Sequence, residues 1–115
     1  MIPTREDLGG LYHDARLGLA RYYLEKHNYH QALGHLRVLV ELNPLSEEIY
    51  RLLMTAYAAL EQRRAVRELY QALTAVLREE LGLAPGLDTR RLYYRLMNER
   101  HDAKEITRQE RGTPS

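Results

Sequence analysis

The chain has 115 residues, 44% of them hydrophobic and 29% charged, which is typical of one soluble globular domain. Its formal net charge of +1 is too small to indicate nucleic-acid binding by bulk electrostatics, and the lack of cysteine excludes disulfides and thiolate chemistry. No apolar run approaches the roughly 20 residues of a membrane span. The N-terminus also lacks the basic-then-apolar order of a signal peptide, so we expect a cytoplasmic protein.

The first ten residues are predicted to form a turn or a loose helix, because Gly9 and Gly10 weaken any helix that runs through them. From Leu11 the apolar residues take helical spacing, which predicts a first helix that ends near Asn28 in the left-handed conformation. A second helix follows and must stop before Pro44. The residues expected to face inward from these two helices are Ala15, Leu19, Ala20, Tyr23, Leu24, Ala32, Leu33, Leu36, Leu39 and Val40.

A third helix is expected to begin after the N-cap residue Ser46 and to run to the turn at 61–63. That turn contains no Gly, Asn or Pro, so its position is inferred from the repeat described next. A fourth helix should end at Gly82 in a Schellman-type closure, with Leu83 folding back on it. A fifth helix is predicted to begin with Asp88 or Thr89 as its cap.

Two blocks of this chain repeat each other at a spacing of 34 residues. The residue pairs that match in apolar or aromatic character are Leu19 and Leu53, Ala20 and Met54, Tyr23 and Tyr57, Ala32 and Val66, Leu36 and Tyr70, and Leu39 and Leu73. This spacing is that of tetratricopeptide repeats, whose helix pairs stack to bury a common core. We therefore predict an all-α, right-handed stack of two antiparallel helix pairs with a C-terminal capping helix over residues 11–100. The charged tail at 101–115 is expected to be disordered.

Three pieces of the sequence resemble the bacterial transcriptional activator domain, the tetratricopeptide-like module of the streptomycete antibiotic regulatory protein family. They are YHQAL at 29–33 with LNPLSEE at 42–48, RLLM at 51–54 with its following helix, and LREELGLAP at 77–85. The last piece is the most specific, because generic repeats of this class do not end in it. The resemblance covers roughly two thirds of the chain, from about Leu19 to Met97.

The resemblance implies a role in transcription regulation. In that family the module usually follows a winged helix-turn-helix DNA-binding domain, for which this chain has no room before Leu11. The chain is either a stand-alone relative or a piece of a longer regulator. Specific DNA recognition is therefore not inherited, and the resemblance implies contacts with regulator subunits or with the transcription machinery.

Neither a metal site nor an enzyme is indicated by the polar residues. The chain has five histidines, but those at 27, 30 and 35 do not make the i, i+4 pair that places two ligands on one helix face. Adjacent carboxylates such as Glu79 and Glu80 point about 100° apart on a helix and do not form a two-carboxylate catalytic site. We expect a non-enzymatic protein without cofactor.

A partner-binding surface is predicted on the concave face, which the first helix of each pair lines in stacked repeats. Arginines near apolar and tyrosine side chains are typical of an interface that binds an acidic or carboxylate-bearing segment. The alternative is that these are ordinary exposed residues, or that the fifth helix fills the groove. The predicted residues are Asp14, Leu17, Arg21, Glu48, Arg51, Thr55, Arg91, Tyr94 and Arg95.

Three functions remain open from the sequence. The first is a protein–protein interaction module of a bacterial transcription regulator, and the second a peptide-binding adaptor unrelated to transcription that uses Arg21, Arg51 and Arg91. The third is a domain that senses a small molecule between the helix pairs. Homodimerisation is also considered, since a two-repeat module leaves apolar end faces such as the region of Leu11 and Tyr12.

Overall fold

The computed structural model describes the backbone of residues 5–98 and the side chains of residues 9–98. Its helices are α1 (Arg5–Glu25), α2 (Tyr29–Leu42), α3 (Glu47–Ala59), α4 (Arg63–Leu81) and α5, which covers 87–98 at the end of the described chain. The described residues contain no strand, so the predicted all-α class is confirmed. None of these helices combines the length and apolar character that a membrane crossing requires. The tail predicted at 101–115 lies outside the described residues.

Successive helices pack on one another, α1 on α2, α2 on α3 and α3 on α4. The core between them is built from residues that the 34-residue spacing matches. Ala20 and its counterpart Met54 are both fully buried, and Leu39 and its counterpart Leu73 are as well. These contacts fit the predicted helical repeat, in which neither helix pair could bury its apolar face alone.

The turn that joins α1 to α2 and the turn that joins α3 to α4 have the same backbone structure. His27 and Glu61, which are 34 residues apart, both have left-handed backbones with φ of 59° and 62°. The amide of Asn28 donates to the carbonyl of Tyr23 at 2.8 Å, and the amide of Gln62 donates to that of Tyr57 at 2.9 Å. Each turn is therefore a Schellman motif, formed without glycine.

This turn geometry corrects the predicted position of the left-handed residue near Asn28 and also bears on the turn predicted at 61–63. The left-handed residue is His27 rather than Asn28, whose φ of −94° is ordinary. The Schellman bonds require the residue before Asn28 to take the positive φ, and this requirement outweighs the preference of asparagine for that conformation. The turn predicted at 61–63 from the repeat lies at 60–62, within one residue of the prediction, although its residues carry no turn signal.

The N-terminal helix is longer than predicted. α1 covers Arg5–Glu25 and continues through Gly9 and Gly10, so of the two conformations predicted for the first ten residues, a turn or a loose helix, the described backbone at 5–10 shows a helix. A glycine inside a helix costs only about 1 kcal/mol relative to alanine. A Cβ at either position would meet no side chain or other helix within 4 Å, so there is room for a larger residue at both.

The starts and ends of the later helices follow local chemistry. The amide of Ile49 donates to the Ser46 hydroxyl at 3.5 Å, which confirms the predicted cap of α3. Gly82 ends α4 with a φ of 67°, as predicted, and the amide of Leu83 donates to the Leu77 carbonyl at 3.3 Å. The Leu83 side chain is nevertheless 59% exposed.

The start of α5 differs from the prediction. Its first helical residue is 87, so Thr89 lies inside the helix and is fully buried rather than capping it. The carboxylate of Glu47, on α3, accepts the Gly86 amide at 2.8 Å and the Thr89 hydroxyl at 2.7 Å. An acidic group from another helix therefore lies at the N-terminus of α5, where it accepts one backbone amide and favours the positive end of the helix dipole.

The two helix pairs differ on one face. Ile49, Leu53 and Ala56 of α3 are all buried, whereas the matching residues of α1 are not. Leu19, the counterpart of Leu53, is 47% exposed although its spacing predicted a core position. This face of α1 has no preceding helix pair among the described residues, whereas α3 follows α2. The sequence predictions that failed here are those for Ala15 and Leu19.

Candidate functional site

The predicted concave-face residues lie on α1, α3 and α5, and the structure joins these helices by polar contacts. Arg21 of α1 forms an ion pair with Glu48 of α3. Arg51 of α3 donates to the hydroxyl of Thr89 on α5 at 2.9 Å. Both arginines therefore contact their own chain, and their side chains are only partly available to a partner.

Glu47 is the centre of the contact between α3 and α5. Its Oε1 atom accepts from both the Gly86 amide and the Thr89 hydroxyl, while Arg51 donates to the same hydroxyl. The Thr55 hydroxyl donates to the Arg51 carbonyl at 2.8 Å, which keeps Thr55 within its own helix. A buried hydroxyl with partners of opposite charge on either side fixes the position of α5 against α3. For Arg51 and Thr55 the structure thus shows intramolecular bonds.

The remaining predicted residues divide into two groups. Leu17 is half-buried and packs against the core. Asp14 on α1 is exposed and lies 3.7 Å from the His13 ring nitrogen. The predicted residues of α5, which lies at the other end of the stack, are all exposed: Arg91, Tyr94 and Arg95.

Tyr94 belongs to a cluster of three tyrosines between α4 and α5. The rings of Tyr70 and Tyr93 are stacked with their centroids 4.0 Å apart and their planes 8° from parallel. Tyr94 meets Tyr93 edge-on at 5.3 Å and is 57% exposed. Such stacked and edge-to-face pairs are favourable aromatic arrangements, so the cluster holds its shape without a ligand.

Beside this cluster lies an open groove of about 500 Å³. One wall is the face of α4, and the opposite wall is formed by Tyr93 and Tyr94 of α5. Thr74 is among the lining residues, and its hydroxyl donates to the Tyr70 carbonyl at 2.8 Å. The α4 residues that line the groove are Tyr70, Gln71, Thr74, Ala75 and Arg78.

The groove combines aromatic surface with hydrogen-bonding groups. Burial raises the pKa of the Tyr70 phenol, and neighbouring Tyr94 adds to the increase while Arg90 opposes it. The phenol therefore stays neutral at physiological pH and keeps its hydroxyl proton. At the C-terminal side the exposed guanidinium of Arg78 offers several N–H donors. The arrangement suits an extended segment with an aromatic or apolar side chain and a carboxylate.

Most of this groove was missed by the sequence analysis, in which Tyr94 alone of the lining residues was predicted to bind a partner. Tyr70 is the counterpart of the core residue Leu36, so the repeat places it in the core. The spacing of Tyr70, Thr74 and Arg78 along α4 places them on one helix face, and this signal was available. Its meaning depends on where α5 docks, which the spacing alone does not determine.

Comparison with known proteins agrees with this architecture. The family model described as the bacterial transcriptional activator domain matches residues 4–97. Among curated proteins, the transcriptional regulatory protein MoaR1 of Mycobacterium tuberculosis and that of Mycobacterium bovis are each 33% identical over 61 residues. That alignment covers 53% of this chain, which spans only a fifth of the length of these relatives (20%). No solved structure matches it. The chain belongs to the bacterial transcriptional activator domain family.

Proposed function

We propose that this domain works as a non-enzymatic protein–protein interaction module in bacterial transcription regulation, located in the cytoplasm. The observation that carries the proposal is the tyrosine groove between α4 and α5, a preformed aromatic surface on a domain of a transcription-regulator family. Aromatic and arginine side chains are enriched where proteins bind one another. The partner is a regulator subunit or a component of the transcription machinery.

The partner-binding surface extends from the groove onto the outer face of α5. Tyr94 lines the groove, and Arg91 and Arg95 lie on the same helix at exposed positions. Arg21, Arg51 and Arg95, which the concave-face hypothesis includes, each interact within their own chain and contribute less than Tyr94 and Arg91. Asp14, Leu17, Glu48 and Thr55 complete the predicted surface and act mainly by shaping it.

The same proposal holds that the chain does not recognise DNA sequence by itself. Its formal net charge is +1, whereas proteins that bind DNA specifically use many phosphate contacts. Fluorescence anisotropy with a labelled promoter duplex should show weak binding that salt removes. Tight binding to one promoter sequence that survives 200 mM salt, but not to a scrambled duplex, would contradict this part of the proposal.

The groove is tested with a candidate partner regulator by comparing surface variants. Tyr94→Ala and Arg78→Glu should each weaken binding about ten-fold or more, as hot-spot residues do. Leu42→Ser is a matched control, because Leu42 is 62% exposed at the end of α2, away from the groove. Unchanged affinity in both groove variants would place the contact elsewhere. Arg51→Glu is a poor test, because it also breaks the contact between α3 and α5.

A peptide-binding adaptor unrelated to transcription is the second candidate function, and the open groove favours it. The two candidates differ in what binds. An adaptor should bind short acidic peptides that contain an aromatic residue with the same dependence on Tyr94 and Arg78. Isothermal titration calorimetry with such a peptide, and with a basic peptide of equal length as control, separates the adaptor from a module that needs a folded partner.

A further inference from the structure

The face of α4 that lines the tyrosine groove carries a row of polar side chains with an arginine at each end. Arg67, Gln71, Thr74 and Arg78 are spaced four, three and four residues apart, which places them on the same side of the helix. Gln71, Thr74 and Arg78 line the groove, and Arg67 lies one turn before Gln71 at an exposed position. The row therefore extends the groove by one turn towards the start of α4.

The repeat shows that this face of α4 differs from the matching face of α2. Leu33, the counterpart of Arg67, is 5% exposed. Val40, the counterpart of Thr74, packs half-buried against the cluster that contains Leu73. The face is thus apolar and covered in α2 but polar in α4. Because burying an unpaired arginine is costly, this face of α4 does not suit another apolar helix, and its occupant must offer polar partners.

The charge of the groove indicates the sign of that occupant. In the described part of the chain, no ion pair involves Arg67 or Arg78. A third cation, Arg90 of α5, lies close enough to Tyr70 to oppose the rise in the pKa of its phenol. None of the described side chains that line the groove is acidic, and the nearby Glu47 already accepts two hydrogen bonds from its own chain. The groove is therefore complementary to a segment that carries carboxylates.

The distance between the two terminal arginines sets the spacing of those carboxylates. Positions 67 and 78 are eleven residues apart, which is about 16 Å along a helix that rises 1.5 Å per residue. In an extended segment, side chains four residues apart point the same way and lie about 13 Å apart. The flexible arginine side chains can span the small difference. An extended segment with acidic residues four positions apart therefore reaches both arginines at once.

We propose that the groove binds an extended segment of a partner protein in which two carboxylates, four residues apart, flank a central aromatic residue. The carboxylates pair with Arg67 and Arg78, and the aromatic ring between them packs on Tyr94, which is 57% exposed. The exposed amide of Gln71, between the two arginines, can both donate to and accept from the backbone of the segment. This inference rests on the groove of the proposed function and specifies the chemistry of what enters it.

Two isomeric peptides with capped termini test the spacing of the carboxylates. Ser-Glu-Ser-Trp-Ser-Glu-Ser holds its glutamates four residues apart, and Ser-Ser-Glu-Trp-Glu-Ser-Ser holds them two apart at the same composition and charge. The chain has no tryptophan, so the fluorescence of the peptide tryptophan reports binding without interference. The first peptide should bind about three- to five-fold more tightly, because the second reaches only one arginine and one exposed ion pair contributes about that factor.

Variants of the chain show whether the two arginines cause the preference. Arg67→Gln and Arg78→Gln should each lower the affinity for the first peptide to that for its isomer, so that the preference disappears. Arg64→Gln is the matched control, since Arg64 pairs with Glu68 at 3.3 Å on another side of α4, and it should leave the preference unchanged. All three arginines are exposed, so the variants are expected to fold normally.

Three outcomes would overturn the proposal: equal affinities of the two peptides for the natural chain, no binding of either, or a preference that survives in either groove variant. A helical peptide with glutamates eleven residues apart that binds more tightly than the extended one would also overturn it, because a helix would then be the occupant. Each of these results leaves the groove itself open to its own test, in which Tyr94→Ala weakens the binding of a folded regulator.

Discussion

The two helix pairs of this domain share a turn, a core and a spacing, yet they differ on the outer face of their first helices. At positions 49, 53 and 56 α3 is buried, and at the matching positions 15, 19 and 22 α1 is exposed. The residues at these positions are apolar in both pairs. The comparison teaches that a repeat pattern reports which faces are made for contact, while the neighbours of each unit decide which faces are covered.

The largest expected effect is on stability, when leucine is replaced by alanine at the matching positions 19 and 53 of the two pairs. Leu53→Ala should lower the free energy of unfolding by about 3 kcal/mol, because it leaves a cavity in a closed core. Leu19→Ala should cost less than about 1 kcal/mol in the monomer, since its side chain is 47% exposed. Urea denaturation at low micromolar chain concentration measures both. Equal costs would remove the distinction between the two faces.

A second comparison concerns the size of matched core residues. Ala20 is fully buried where the second pair has Met54. Ala20→Met should destabilise the fold by about 1–3 kcal/mol through overpacking. Ala15→Met, on the exposed face of the same helix, is the control and should be nearly neutral. If Ala20→Met were tolerated as well as the control, the close approach of α1 and α2 at Ala20 would be wrong.

The contact between α3 and α5 is expected to contribute less to the free energy of unfolding than the core does, but its contribution should be measurable. Thr89→Val keeps the volume of the buried side chain but removes the hydroxyl that contacts both Glu47 and Arg51. It should cost about 1–3 kcal/mol, because two charged groups lose a buried partner. Arg91→Ala, at an exposed position on the same helix, should change stability by less than about 0.5 kcal/mol. Thermal unfolding followed by circular dichroism compares the two variants.

The smallest effect is expected at the repeated turns. A left-handed backbone costs a residue other than glycine about 1–2 kcal/mol. Glu61→Gly should therefore stabilise the fold by up to about 1 kcal/mol, because the relief of this cost exceeds the added entropy of the unfolded chain. Ala72→Gly, inside α4, should instead destabilise it by about 1 kcal/mol. Destabilisation by both glycines would mean that residue 61 is not held in the left-handed conformation in solution.

Helical spacing, caps and the 34-residue repeat were sufficient to predict most of the fold. Ser46, Gly82 and Pro44 mark helix ends through local chemistry, which acts within a few residues and can be read from sequence. The start of α5 could not be predicted in this way. It depends on Glu47, 39 residues before Gly86, and such a contact exists only once α3 and α5 have met.

The candidate site was harder to predict than the fold. The concave-face argument placed Arg21 and Arg51 on the right helices but could not show that Glu48 and Thr89 contact them. The groove depends on how α5 crosses α4, and that angle is set by packing of several side chains together. The repeat therefore places Tyr70 in the core, and the structure shows that it packs against the core and lines the groove as well.

Thiol accessibility tests the difference between the two helix pairs most directly, because the chain has no natural cysteine. Leu19→Cys and Leu53→Cys variants are labelled with a maleimide at a concentration low enough to keep the chain monomeric. We predict that cysteine at position 19 reacts nearly as fast as in the urea-unfolded chain, and that cysteine at position 53 reacts about a hundred-fold more slowly because labelling there requires opening of the core. Similar rates at the two positions in the folded chain would contradict the account.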